Sequence, residues 1–278
     1  TNFTTRLAMS KKMFFKNQNS KSLLDFYPCD GYAYSLQKIK STINYVIRVQ
    51  RSSDNSQKDF KAKEITNGTL TNWVGGSNNG FVKTWYDQSG NNRNLTFLNL
   101  TNLIVKNGLL LIDNGTPYIE YTGNTTKNDY SLSNTSGLNS TNASLFTTYN
   151  SNDTTAGMVF QSGNVSGSTF VGTLQLGSSA SIYEFSGSPI CHVNSILLTP
   201  QTRANLHSKI VLNKDVLVSF VNVNFSSASY NLNKSLPYVY TANAVSQSLK
   251  AKEFIVYNSD QSANRINIEN DIKLRYNI

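Results

Sequence analysis

Short apolar segments with a two-residue alternation recur along the 278-residue chain, separated by glycine and small polar residues. Residues 45–50, YVIRVQ, place an apolar and a mixed set of side chains on opposite faces, as a strand requires. Residues 81–86 form a second strand, which ends at the turn residues Asp87, Ser89 and Gly90. Further strands are predicted at residues 109–112, 117–121, 143–149, 158–161, 169–176, 210–212, 216–225 and 253–257.

Helical periodicity occurs in two places. The spacing of Leu36 and Ile39 predicts one or two helical turns within residues 33–40. Residues 263–276 follow Ser262, a good N-cap residue, and carry apolar side chains at four-residue spacing, which predicts a terminal amphipathic helix. Ten or more strands and one clear helix predict an all-β chain, either a β-sandwich or a jelly roll.

The distribution of charge and polarity predicts a basic N-terminal arm, residues 1–22, followed by one domain, residues 23–278. The arm has no acidic residue and contains Arg6, Lys11, Lys12, Lys16 and Lys21. It either docks on a neighbouring subunit or is a mobile tail. Residues 124–142 are almost wholly Asn, Thr, Ser and Gly, which indicates a long loop rather than a domain boundary. The net charge of +9 favours weak attraction to polyanions, but the pattern of a specific nucleic-acid reader is absent.

Cysteine and histidine usage excludes several kinds of site. The two cysteines, Cys29 and Cys191, cannot build a four-thiolate zinc site, and we interpret them as free buried thiols, with pairing left open. The two histidines, His192 and His207, cannot form a metal site of three histidines. We therefore predict no metal and no cofactor. No apolar run reaches membrane-spanning length, and residues 1–20 have no recognisable secretion signal.

Four segments carry a family resemblance: AYSL at residues 33–36, IRVQRSSDN at 47–55, GFVKTWYDQSGN at 80–91 and EFIVYNSDQSANR at 253–265. They resemble the arabinofuranosidase B catalytic-domain family and the related concanavalin-like, laminin-G-like modules of bacteriophage tail and spike proteins. The resemblance covers about residues 23–100 and 252–278. It implies a concanavalin A-like β-sandwich, or jelly roll, with a short C-terminal helix.

Two of these segments contain short polar side chains directly after a strand, which is typical of turns closed by side-chain hydrogen bonds. The alternative is that Asp54 or Asp87 binds calcium, but no further carboxylates follow at ligand spacing. We therefore assign a structural role in turns to Arg51, Ser53, Asp54, Trp85, Tyr86, Asp87, Gln88 and Ser89.

A retaining glycosidase needs two carboxylates about 5 Å apart. By resemblance, the nucleophile belongs in residues 167–177 and the acid in residues 241–250, yet neither stretch contains an acidic residue. The vicinal cysteine pair of the arabinofuranosidases is also missing. Glu184 and Asp215 could still pair in space, although no motif marks them. This pattern predicts the scaffold of the family without its catalysis, and therefore no catalytic residues.

The resulting expectation is a non-enzymatic protein on the bacteriophage virion surface, a homo-oligomeric spike, tail fibre or capsid-associated protein. Its partners would be other virion proteins, through the arm, and a host-surface glycan. Because aromatic faces pack on sugar rings and amides bind hydroxyls, we place glycan binding in the polar loop, at Asn128, Tyr130, Asn134 and Asn139. The alternatives are an arabinofuranosidase-like glycoside hydrolase and a secreted bacterial glycan-binding module.

Overall fold

The computed structural model describes residues 21–122, 130–132, 138–150, 158–161, 173–175, 187–211, 213–226 and 248–278. Antiparallel strands dominate these residues and form two large sheets, which confirms the predicted all-β sandwich. Most of the predicted arm, residues 1–20, lies outside the described residues, so the arm and the domain boundary stay predictions. None of the helices in the described ranges is both long and apolar enough to cross a membrane.

The first ten strands belong to the N-terminal half of the chain. They are β1 Tyr32–Ser35, β2 Ile47–Arg51, β3 Gln57–Phe60, β4 Gly80–Trp85, β5 Leu95–Phe97, β6 Leu103–Lys106, β7 Leu109–Leu110, β8 Ile112–Asp113, β9 Thr116–Pro117 and β10 Ile119–Thr122.

The remaining elements are nine strands and five helices of the described residues. The strands are β11 Tyr130–Leu132, β12 Ala143–Tyr149, β13 Met158–Gln161, β14 Thr173–Gln175, β15 Gly187–Val193, β16 Ile196–Leu197, β17 Val216–Val223, β18 Ser248–Ala251 and β19 Glu253–Tyr257. The helices are α1 Leu23–Phe26, α2 Ala62–Thr66, α3 Thr69–Val74, α4 Arg203–Lys209 and α5 Arg265–Tyr276.

One sheet has the strand order β1-β19-β12-β17-β15-β16 and is covered on both faces. Every residue of β12 and β19 is buried. Side chains such as Leu145 and Phe254 face the core between the sheets, whereas Phe146 and Ile255 pack beneath α1 and α5. Burial on both faces explains why neither strand sequence, ASLFTTY or EFIVY, has the strict polar and apolar alternation of a strand with one solvent-exposed face.

The second sheet has the order β11-β5-β4-β6-β10-β18, with β2 also paired to β4, β3 paired to β2, and β7 paired to β6. Its inward residues, among them Val49, Val82 and Val105, are fully buried in the core between the sheets. The chain changes sheets between β18 and β19, which are separated by the single residue Lys252. This crossover places Lys252 at the junction of the two sheets.

Three local predictions differ from the structure. Residues 32–35 form a strand rather than helical turns, because they pair with β19 from Tyr32↔Val256 to Ser35↔Glu253. The predicted strand at 210–212 is wrong at Ile210, which caps the C-terminus of α4. Helix α5 begins after Asn264 rather than Ser262, and the Ser262 hydroxyl instead donates to Asp260. In each case a tertiary or capping contact overrides the local pattern.

Candidate active site

The segment after β4 forms a closed hydrogen-bonding network around the buried carboxylate of Asp87. Its Oδ1 accepts hydrogen bonds from the main-chain N–H groups of Ala33 and Ser89, both at 2.9 Å. Its Oδ2 accepts from the Ser89 hydroxyl at 2.7 Å and from the main chain of Arg93 at 2.9 Å. The neighbouring Gln88 amide bonds the main chain of Ser35 and of Ile39. Both oxygens of Asp87 therefore bind protein donors that fix the loop against β1.

The other predicted turn lies on the surface. The Arg51 guanidinium makes a bidentate contact with Asp54, at 2.8 and 2.6 Å, and stacks over the ring of Trp73. The main chain and hydroxyl of Ser56 also donate to Asp54, and these bonds together lower the pKa of its carboxyl. Ser53 is exposed beside them. The Asp54 oxygens, like those of Asp87, are occupied by protein donors.

The four residues predicted to bind glycan are only partly described. Asn128 and Asn134 lie outside the described residues. Tyr130 begins β11, where its backbone pairs with Phe97 of β5. Asn139 is exposed in the segment that leads to β12. Of the four, Asn139 alone has a described side chain, so glycan binding at these residues stays a prediction.

A charged cluster that the sequence analysis did not assemble lies where the two sheets meet. We call it the carboxylate-lysine cluster, and it consists of Asp113, Asn150, Asp215, Lys250 and Lys252. Asn150 directly follows β12, and Asp215 directly precedes β17. The two strands are paired at these ends, where Tyr149 of β12 lies opposite Val216 of β17. The two lysines come from β18 and from the crossover to β19.

Asp113 reaches the cluster because it ends β8, the first strand of a tight hairpin. The two turn residues, Asn114 and Gly115, have φ of 49° and 74°, the left-handed conformation that Asn-Gly hairpins favour. The Asn114 amide donates to the main-chain oxygen of Tyr276, which attaches the turn to the end of α5. The hairpin therefore holds the Asp113 carboxylate in a fixed position.

Lys252 is the centre of the cluster, and its side chain is 0% exposed. Its Nζ donates to Oδ2 of Asp215 at 2.6 Å and to the main-chain oxygen of Asp113 at 3.0 Å. Lys250 Nζ lies 2.8 Å from Oδ1 of Asp113 and stacks over the ring of Tyr118. Two lysines thus balance two carboxylates, which is how a protein interior accommodates charged groups.

The two carboxylates share one amide group. Asn150 Nδ2 donates to Oδ2 of Asp113 and to Oδ1 of Asp215, both at 2.9 Å, so these oxygens lie no further apart than twice that distance. The shared amide therefore holds the two carboxylates side by side. Among the described contacts, the buried Oδ1 of Asn150 has no hydrogen-bond partner.

The carboxylates differ in access and in the forces that act on them. The side chain of Asp113 is 21% exposed, whereas that of Asp215 is 1% exposed. Partial burial raises the pKa of Asp113. The hydrogen bond and charge of Lys250, together with the charge of Lys252, lower it by more, so the pKa lies below its ordinary value of 3.8. Asp113 is therefore an ionised carboxylate near neutral pH and is the one in the cluster that solvent reaches.

Comparison of the sequence with protein-family models and with characterised proteins gave no match. Solved structures do match. An arabinofuranosidase complexed with arabinofuranosyl-α-1,2-xylobiose aligns with a TM-score of 0.54 and 13% identity. A Glu-to-Gln mutant of a GH54 α-L-arabinofuranosidase, soaked with 4-nitrophenyl α-L-arabinofuranoside, aligns with a TM-score of 0.55 and 11% identity. In both, the alignment covers 90% of this chain, which spans 64% of the matched chain.

These matches correct the functional expectation. All three matched structures are arabinofuranosidases, and no finding supports a tail, spike or capsid protein. The exclusion of an enzyme rested on residues 167–177 and 241–250, of which only 173–175 and 248–250 are described. Missing carboxylates in two stretches do not exclude acidic groups at other strand ends, such as Asp113. The findings therefore contradict both the virion prediction and the exclusion of an enzyme.

At this level of identity the matches establish architecture rather than activity. The alignment covers 90% of this chain, which consists mainly of the two antiparallel sheets described above. The chain has the β-sandwich fold of the GH54 arabinofuranosidases.

Proposed function

We propose that this domain is a glycoside hydrolase that acts on α-L-arabinofuranosyl groups, with Asp113 as its nucleophile. The observation that carries the proposal is the carboxylate-lysine cluster, in which Asp113 is ionised, partly exposed and rigidly held. The fold shared with three arabinofuranosidase structures supports the choice of substrate class.

The geometry gives Asp113 the properties of a carboxylate nucleophile. Its pKa is lowered, so the attacking oxygen carries its charge without a base. Its Oδ1 and Oδ2 contact Lys250 and Asn150, which orient the carboxylate before substrate arrives. In the first step, an Asp113 oxygen bonds to the anomeric carbon as the bond to the leaving oxygen breaks with its electron pair; nitrophenolate departs from an aryl substrate without taking up a proton. In the second step, water hydrolyses the glycosyl ester, which restores the carboxylate and releases one proton to the solvent.

The remaining cluster residues position Asp113. Asp215 is enclosed, so we assign it to holding Lys252 and Asn150 rather than to contact with the sugar. The buried Oδ1 of Asn150 has no hydrogen-bond partner among the described contacts, which is an unfavourable state for an acceptor. Asp215 and Lys252 are therefore positioning residues.

The test is hydrolysis of 4-nitrophenyl α-L-arabinofuranoside. Nitrophenolate leaves without protonation, so this substrate reports on the nucleophile and does not require a general acid. Asp113→Asn should lower kcat/KM by roughly a thousandfold or more, as expected for a missing nucleophile. Asp54→Asn, which alters an exposed ion pair outside the cluster, is the matched control and should retain activity.

A second variant separates catalysis from folding. Asp113→Gly opens space beside the anomeric carbon, and added azide should restore turnover with formation of a glycosyl azide. A merely structural aspartate would show no such product. Inactivity of the unaltered protein on the aryl arabinofuranoside would overturn the proposed function. Full activity of Asp113→Asn would overturn the assignment of the nucleophile.

A further inference from the structure

A second concave surface lies beside the loop that follows β4 and shares no residue with the carboxylate-lysine cluster. We call it the tyrosine-amide cleft. It has a volume of about 280 Å³ and is lined by Ile43, Asn44, Tyr45, Tyr86, Asp87, Asn92 and Asn94. Small-molecule pockets typically occupy about 300 to 1,000 Å³, so this cleft, which lies just below that range, has room for no more than one small unit of a ligand.

Two aromatic side chains line the cleft. Tyr45 is 44% exposed and lies just before β2. Tyr86 is half-buried, and its hydroxyl donates to Oδ1 of Asp59 at 2.7 Å. Asp59 in turn makes a bidentate contact with Arg48, at 2.7 and 3.0 Å. The Tyr86 ring is therefore held in place before any ligand binds, which reduces the entropy lost on binding.

The amide groups of the cleft are also held in place. Asn94 Oδ1 accepts from the main-chain N–H of Asp87 at 3.0 Å, and Asn94 Nδ2 donates to Oδ1 of Asn92 at 3.1 Å. Asn44 and Asn92 are exposed at the rim. Amides both donate and accept hydrogen bonds, so they suit hydroxyl groups, which do the same.

The lining of the cleft carries little formal charge, although the chain as a whole has a net positive charge. Asp87 is the single formally charged residue that lines it, and both of its carboxylate oxygens already accept hydrogen bonds from the protein. Among the described residues, no lysine or arginine lines the cleft. An anionic ligand would therefore find no counter-charge there, and a cation would compete with the bonds that hold Asp87. The chemistry favours a neutral ligand rich in hydroxyl groups.

We propose that the tyrosine-amide cleft is a binding site for one neutral sugar unit of a glycan chain, separate from the site of hydrolysis. The ring of Tyr45 packs on the apolar face of the sugar, and the rim amides bind its hydroxyls. The cleft would hold a polymer on the domain while the cluster acts on a side group. This inference depends on the proposed function only for the choice of glycan used as a probe.

The experiment measures binding of soluble arabinoxylan, a neutral polymer that carries arabinofuranosyl groups, by affinity gel electrophoresis. Tyr45→Ala should weaken binding about tenfold, the loss expected from removing one aromatic contact. Asn44→Ala should weaken it less. Phe26→Ala removes a ring that is 50% exposed outside the cleft, and should leave binding unchanged.

Two further measurements isolate the cleft. Retention should persist as salt rises, because attraction due to the net charge of +9 would be screened. Hydrolysis of 4-nitrophenyl α-L-arabinofuranoside should be unaffected by Tyr45→Ala, since that substrate is no polymer. Binding that Tyr45→Ala leaves unchanged, or that disappears with added salt, overturns the inference.

The two proposals fail separately. Hydrolysis without arabinoxylan binding would overturn the sugar-binding role of the cleft and leave the proposed function intact. Arabinoxylan binding that depends on Tyr45, in a protein without hydrolysis, would support the cleft and remove the proposed function.

Discussion

The Asp87 loop and the carboxylate-lysine cluster both bury a carboxylate, but they satisfy it in different ways. Around Asp87 three of the four donors are main-chain N–H groups and the fourth is the hydroxyl of Ser89. Around Asp113 the donors are the side chains of Asn150 and Lys250. Main-chain donors fix the path of the backbone, whereas a neighbouring lysine also sets the charge of a carboxylate that solvent reaches.

This contrast separates a carboxylate that holds the backbone in place from the one that we propose as a nucleophile. The sequence near Asp87 resembles the family because the DQSG segment builds a particular backbone geometry. This resemblance therefore indicates a shared fold. The cluster has no such motif, because its members depend on long-range contacts. The test of the proposed function is therefore placed at Asp113 rather than in the segments that carry the family resemblance.

The largest expected effect is on the stability of the Asp87 loop. Asp87→Ala leaves four donors without their acceptor, three of them on the main chain, and should lower the free energy of unfolding by at least about 4 kcal/mol. Urea denaturation measures it. Asp54→Ala, at an exposed ion pair, should cost about 1 kcal/mol or less. Similar losses for both variants would show that the Asp87 network is not structural.

The next effect concerns the buried lysine. Lys252→Met leaves the enclosed Asp215 carboxylate without its cation and should lower the free energy of unfolding by about 3 kcal/mol. The double variant Lys252→Met with Asp215→Leu removes both charges and should recover most of that loss, because an apolar pair can replace a buried ion pair. Denaturation of the two variants decides the matter. A double variant less stable than the single one would contradict the pairing.

The smallest effect is the pH dependence of the cluster. The pKa of Asp113 is lower in the folded protein than its ordinary value of 3.8, so the cluster is stabilised above that pH. This stabilisation is lost as the pH falls through the folded pKa. Thermal unfolding between about pH 2 and pH 5 should show a steeper fall for the unaltered protein than for Asp113→Asn. If the thermal stability of both proteins fell equally with pH, Asp113 would not contribute to the loss of stability in acid.

The sequence predicted the fold better than the site, for physical reasons. Strands 143–149 and 253–257 were placed correctly because both are short, rich in aromatic and β-branched residues, and followed by turn residues. Residues 33–40 were misassigned because Leu36 and Ile39 fit helical spacing, while the pairing with β19 lies more than 200 positions away.

The cluster could not be assembled from local patterns. Lys250 and Asp113 are 137 positions apart, and no short segment holds two of the acidic members. The sequence analysis named Asp215 as an unassigned carboxylate and proposed Glu184, which lies outside the described residues, as its partner. The one local signal was the Asn-Gly pair after Asp113, which indicates a tight turn directly beside an acidic residue.

The position of β19 has a consequence for how the chain reaches its native state. This strand is inserted between β1 and β12, so Tyr32 and Val256 are neighbours although more than 200 residues separate them. During synthesis, β1 and β12 leave the ribosome long before the strand that joins them, and their edges stay unpaired until it arrives. Such long-range pairing slows folding and exposes intermediates to aggregation. We therefore expect chaperones to bind mainly those chains, still in synthesis, that do not yet contain residues 253–257.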